Sequence, residues 1–152
     1  MRKLIFCLPY VLLFCIVYII ECIDQSAHIP GNYSASEKHM DPNGFQDYTD
    51  FCVYYYASPD AVSSNPLYRK VADSDTEELR GYFSDFEGFM KAEGRSEEYG
   101  FDLSCISAGD YCCIETKEGK PIGGAVYGKY DHYTVYFFDT ETCTLYYIHN
   151  SI

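Results

Sequence analysis

Hydrophobic and polar positions divide the chain into three stretches of different character. From Leu4 to Ile20 no residue carries a charge, with Arg2 and Lys3 ahead of the run and Glu21 and Asp24 behind it. With Cys22 and Ile23 appended, the run spans roughly 25 to 30 Å as a helix, enough to cross a hydrocarbon core. The pattern predicts a signal anchor, a transmembrane helix over residues 1–23. Basic residues before the span and acidic ones after it put the amino terminus in the cytoplasm and the remainder outside the cell membrane. A cleaved signal would instead release a secreted protein, but no pair of small residues sits where a cut would need them.

Residues 24–49 lack any sustained apolar period and are punctuated by Pro30, Gly31, Pro42 and Gly44. They read as a flexible stalk with a reach of roughly 25 to 30 Å. Asn32-Tyr33-Ser34 within it matches a glycosylation acceptor pattern. Alternation begins at residue 50, where Phe51 to Ala57 predicts a strand closed by Ser58-Pro59-Asp60. Leu79, Tyr82, Phe83, Phe86, Phe89 and Met90 then recur at spacings of three and four, the stripe of an amphipathic helix. Ser74 and Glu77 have the spacing of a capping box, and Gly94 supplies the stop. Gly81 and Gly88 share one side of that helix, where they are expected to weaken it, the alternative being that they admit a close neighbour.

Beyond Phe101 the period changes to two, predicting strands over Tyr111 to Thr116, Ile122 to Tyr127, Tyr133 to Phe138 and Cys143 to His149. The short turns between them make neighbours antiparallel. A symmetric last turn sets Phe138 opposite Cys143, so Tyr136, Leu145 and Tyr147 share one face. Tyr133, Val135, Phe137, Tyr146 and Ile148 share the other. Residues 50–152 are therefore expected to form an extracytoplasmic α+β domain, one long amphipathic helix packed on a four- to five-stranded antiparallel sheet. Cystatin-like and NTF2-like folds are its analogues. One helix covers one face, which leaves an apolar face for other segments, a partner or a ligand. Tyr133, Val135, Phe137, Tyr146 and Ile148 are the expected partner-binding residues.

Segments Gly109-Asp110-Tyr111, Lys117-Glu118-Gly119, Tyr133 to Glu141 and Leu145 to Asn150 carry a resemblance over residues 50–152. The carboxy-terminal half resembles small uncharacterised membrane-anchored or secreted proteins of Gram-positive bacteria. The resemblance implies no activity and no functional residues.

Charge and chemistry narrow the picture further. Setting aside Arg2, Lys3 and Glu21 leaves 9 basic against 22 acidic residues, a net charge of −13. Nucleic acid and anionic lipid are repelled by such a surface, whereas a basic protein partner or an envelope glycan is compatible with it. The 17 tyrosines and 10 phenylalanines serve first as strand formers. Five cysteines, Cys52, Cys105, Cys112, Cys113 and Cys143, fall in the domain, an odd number for a disulfide framework. Most are expected to be reduced and buried, and a single bridge would join Cys113, or its neighbour Cys112, to Cys143. A cysteine hydrolase or transferase would need Cys52, Cys105 or Cys143 beside His132 or His149. No zinc spacing, calcium loop or phosphate loop occurs, so no metal, cofactor or catalytic residue is assigned. The expected function is that of a membrane-tethered interaction module binding another surface protein, non-enzymatic, with glycan binding and cysteine chemistry as alternatives.

Overall fold

Residues 27–41 and 48–151 are described by a computed structural model. The anchor expected over residues 1–23 lies outside them. Among the described residues no helix is long and apolar enough to cross a membrane. The chain divides after Gly31, and the domain described below starts at Asn32.

The helix stripe forms as its spacing predicts. Helix α2, Thr76–Ala92, buries Leu79, Tyr82, Phe83, Phe86 and Met90. Its start differs from the expected Ser74 and Glu77 box. A 3-10 turn, Asp73–Asp75, precedes it, and the Asp75 carboxylate accepts the Ala72 N–H at 2.9 Å and the Arg69 guanidinium. Glu77 and Glu78 in the first turn and Lys91 in the last complement the helix dipole. Gly94, with φ of 74°, ends the helix as expected. Its amide reaches the Lys91 carbonyl and the Arg95 amide reaches that of Met90, a Schellman arrangement.

One antiparallel sheet carries the rest of the domain, in the order β1-β2-β8-β7-β4-β3. Its strands are β1 (Ala35–His39), β2 (Tyr48–Tyr55), β3 (Arg69–Lys70), β4 (Tyr111–Thr116), β7 (His132–Asp139) and β8 (Thr144–Ser151), and a short helix α1 (Asp60–Ser63) follows β2. Six strands replace the expected four to five. Ala35–His39, expected as stalk, pairs along β2 from Ala35 opposite Tyr55 to His39 opposite Phe51. The expected strand over 122–127 does not join the sheet. Gly123 and Gly124 take φ of 59° and 89°, closing a two-residue turn between β5 (Pro121–Ile122) and β6 (Ala125–Val126), which pair only with each other.

The β7–β8 turn is longer than a symmetric one at Phe138 and Cys143. Phe138 lies opposite Leu145, and Cys143, at φ of 54°, completes the turn. A slip of two residues preserves side-chain parity, so the two faces have the expected composition. The helix covers the face of Tyr133, Val135, Phe137 and Ile148, joined in the core by Phe51, Val53, Val71 and Ile106. Phe101 stacks on Phe83 with ring centroids 3.9 Å apart and meets Tyr146 edge-on at 4.8 Å. The other face is buried as well. Tyr54, Tyr56, Tyr136, Phe138, Leu145 and Tyr147 are all under 8% exposed. Tyr33 packs against Tyr54, Tyr56 against Phe138, and Tyr68 against Tyr136.

Arg95, immediately after the helix stop, ties helix to sheet. Its guanidinium donates to the carbonyls of Thr49 at 2.9 Å and His39 at 3.1 Å, and pairs with Glu98 at 2.8 Å.

Candidate functional site

The structure gathers the five expected partner-binding residues onto one face, as their alternation requires. That face lies under α2. Tyr133, Val135, Phe137 and Ile148 have no exposed area, and Tyr146 packs partly buried against the same core. Tyr133 points its hydroxyl at the Tyr82 carbonyl, 3.4 Å away, and at Asp85 Oδ2, 3.2 Å away. These side chains hold the helix to the sheet and offer no docking surface. Apolarity marked both faces equally, and the helix covers the one expected to remain open.

Cys113 and Cys143 are free thiols, so the expected bridge is not formed. Cys113 sits opposite Tyr136 on β7, whereas Cys143 lies in the turn beyond the Asp139–Thr144 pair. Burial is the main cause of raised thiol pKa values, pushing Cys52 and Cys113 to about 11 and Cys105 to about 12. Cys52 contacts the Met40 sulfur at 3.5 Å, and Cys143 Sγ lies 3.9 Å from the Thr140 carbonyl. His132 and His149 are engaged elsewhere. His132 Nδ1 meets Ser151 Oγ at 3.0 Å, and His149 Nδ1 meets Thr134 Oγ1 at 2.8 Å. The two imidazoles pack edge to face, 5.4 Å apart. Burial, then His132 and Lys117, push His149 down to about 4.

The buried carboxylates are taken up by the fold. Asp110 accepts the Ser107 amide and both the amide and hydroxyl of Thr140, at 2.8 to 3.0 Å. Asp139 accepts the Glu141 amide at 2.9 Å and the Thr142 hydroxyl at 2.7 Å, closing the last hairpin. Among the described residues no three His, Cys, Asp or Glu side chains converge as a metal-binding group.

Among the described residues the outer edges of β1 and β3 have no strand partner, and the outer edge of β4 is only partly covered. β3 covers it only at Tyr111 and Cys112, because β3 is two residues long while β4 is six. The Lys117 amide donates to the His132 carbonyl, so odd-numbered residues of β4 turn their backbone polar groups toward β7. The amides and carbonyls of Ile114 and Thr116 therefore turn outward, beyond the end of β3. They border a groove of about 410 Å³ whose walls include Leu67, Tyr68, Glu78, Tyr82 and Glu118. Leu67 is 43% exposed. Glu78 and Glu118 both lie close enough to raise the Tyr82 phenol, after burial. The positive groups nearby are Arg69, paired with Asp75, and Lys129, 3.5 Å from Glu78.

None of the groove residues was expected from the sequence to form a binding site, although Tyr82 was read into the helix stripe and Cys113 into a disulfide. The available signal was the mismatch between a six-residue strand and the Asn65-Pro66 turn just before Arg69, which keeps β3 short. Comparison of the chain with protein-family models, curated proteins and solved structures returned no match.

Proposed function

We propose that this domain is a non-enzymatic protein-binding module, tethered to a membrane by the apolar segment before it, which takes a partner carrying basic groups. The open edge of β4 carries this reading. Both faces of the sheet are buried and serve as scaffold, while Ile114 and Thr116 keep backbone donors and acceptors directed into a groove. An uncovered strand edge of this kind is a ready template for another chain. The net charge of −12 adds steering toward a basic partner. Glycan binding would call for a row of exposed tyrosines, and every tyrosine among the described side chains is buried or half-buried.

Site-specific photocrosslinking from intact membranes tests the proposal. A photoreactive residue in place of Leu67, on the groove wall, is expected to capture a defined protein. The same group in place of exposed Glu97, in the 3-10 turn Ser96–Glu98, serves as the control. Capture should fall as salt is raised. Equal capture from both positions, or none from Leu67, would remove the support for this reading.

A further inference from the structure

We infer that the β4 groove binds an extended segment of another protein by strand addition, with basic side chains on one side of that segment and apolar side chains on the other. The inference rests on the protein-binding reading above and names the chemistry of the occupant. Three observations lead to it.

The first is backbone polarity. At Ile114 and Thr116 two amides and two carbonyls alternate along one edge, the pattern that a neighbouring strand satisfies and that a helix, whose own backbone is internally paired, does not. The second is the register this edge allows. Cys112 is already opposite Arg69, and the turn from Asn65 to Tyr68, closed by the Tyr68 amide on the Asn65 carbonyl at 3.1 Å, carries the preceding chain off the line of β3. Among the described residues no strand lies alongside residues 113–116, where a four-residue strand would extend about 13 Å.

The third is the difference between the groove walls. Cys112 packs in the helix-side core, so the even-numbered side chains of β4 mark the helix side. On that side lie Tyr82 and Glu78 of α2, with Glu118 near the Tyr82 ring. On the other side is Tyr68, which packs against Tyr136 of the opposite sheet face, with exposed Leu67 adjacent. Successive side chains of an added strand point to opposite faces, so one set meets carboxylates and the alternate set meets Leu67 and Tyr68. Lys129 is the resident partner of Glu78, in an exposed pair worth little. An incoming lysine or arginine can displace it, whereas an acidic segment would face both Glu78 and Glu118.

The test uses the full-length chain in a nonionic detergent and a fluorescent octapeptide of alternating valine and lysine, read by anisotropy. Binding is expected, with slowed hydrogen exchange at the Ile114 and Thr116 amides, and the alternating valine and glutamate peptide should not bind. Methylating the peptide nitrogens on alternate residues separates strand addition from charge attraction without altering the protein. One alternate set should weaken binding about tenfold through lost hydrogen bonds, while the other set, facing away from β4, should have little effect. On the protein, Glu118→Lys should weaken the lysine peptide and Thr116→Pro, which removes one outward amide, should weaken both binding and protection. Equal effects of the two methylated sets, or binding without protection at Ile114 and Thr116, would overturn strand addition. Protection that rises with protein concentration in the absence of peptide would assign the edge to a second copy and also overturn it. If the peptides fail while photocrosslinking from Leu67 still captures a protein, strand addition falls and the protein-binding reading stands.

Discussion

Gly81 and Gly88 occupy the same side of one helix but meet different surroundings. A Cβ on Gly81 would lie 2.8 Å from the Tyr130 hydroxyl, whereas nothing lies within 4 Å of one on Gly88. Gly88→Ala should therefore stabilise the domain by about 0.5 to 1 kcal/mol, the usual gain in helix propensity and lost unfolded-state freedom. Gly81→Ala forces Tyr130 to move and should forfeit that gain or reverse it. Denaturant titration of both variants checks the pair, and equal gains would show that the Tyr130 approach is dispensable. A second residue-scale prediction concerns His149. Its folded pKa of about 4 lies below the ordinary 6.5, so between those values the unfolded chain binds the extra proton. Stability from this residue is intact above pH 6.5 and falls with acidification down to about 4, by about 3 kcal/mol in all. Asp50 and Asp85, whose carboxyl pKa values burial raises, work in the opposite direction. His149→Gln isolates the imidazole contribution, and an unchanged acid slope in that variant would count against it.

At the scale of elements, α2 and the sheet share one core through Phe86, which has no exposed area, while Glu87 beside it is exposed. Phe86→Ala should cost about 3 to 5 kcal/mol through lost transfer energy and the cavity left behind. Glu87→Ala should change stability by less than about 0.5 kcal/mol. Equal small losses by thermal or chemical unfolding would contradict the packing of this helix face. The helix was legible because five of its buried side chains repeat at three and four, and β7 and β8 because alternation survives a register shift of two. Elements without such a signal were missed. Ala35–His39 is an edge strand with mostly exposed, polar side chains, and β3 has two residues, too few to show a period. The Gly123-Gly124 turn sat inside a run that read as one strand. The site was illegible for a related reason, since Ile114 and Thr116 contribute through their backbones, which side-chain pattern does not report. Apolarity located both sheet faces and could not say that each would be covered.

For the molecule as a whole, surface charge and chain order matter more than any one contact. Most described carboxylates lie outside a core built from aromatic rings, Asp50, Asp110 and Asp139 being buried, so the acidic excess acts on association and solubility more than on the fold itself. Sheet order has a different effect. β8 lies between β2 and β7, eight residues paired along each side. Deleting residues 144–151 should therefore abolish cooperative unfolding, whereas deleting 35–39 should remove only an outer strand and leave a weakened cooperative transition. Survival of a cooperative domain without 144–151 would show that the remaining strands can close on one another. During synthesis β2 emerges about a hundred residues ahead of the strand it must meet. Until β8 leaves the ribosome, β2 and β7 each present an uncovered edge, and the nascent chain is at its greatest risk of pairing with a neighbour. Whatever shields those edges in the interval determines how much of the protein reaches its folded state.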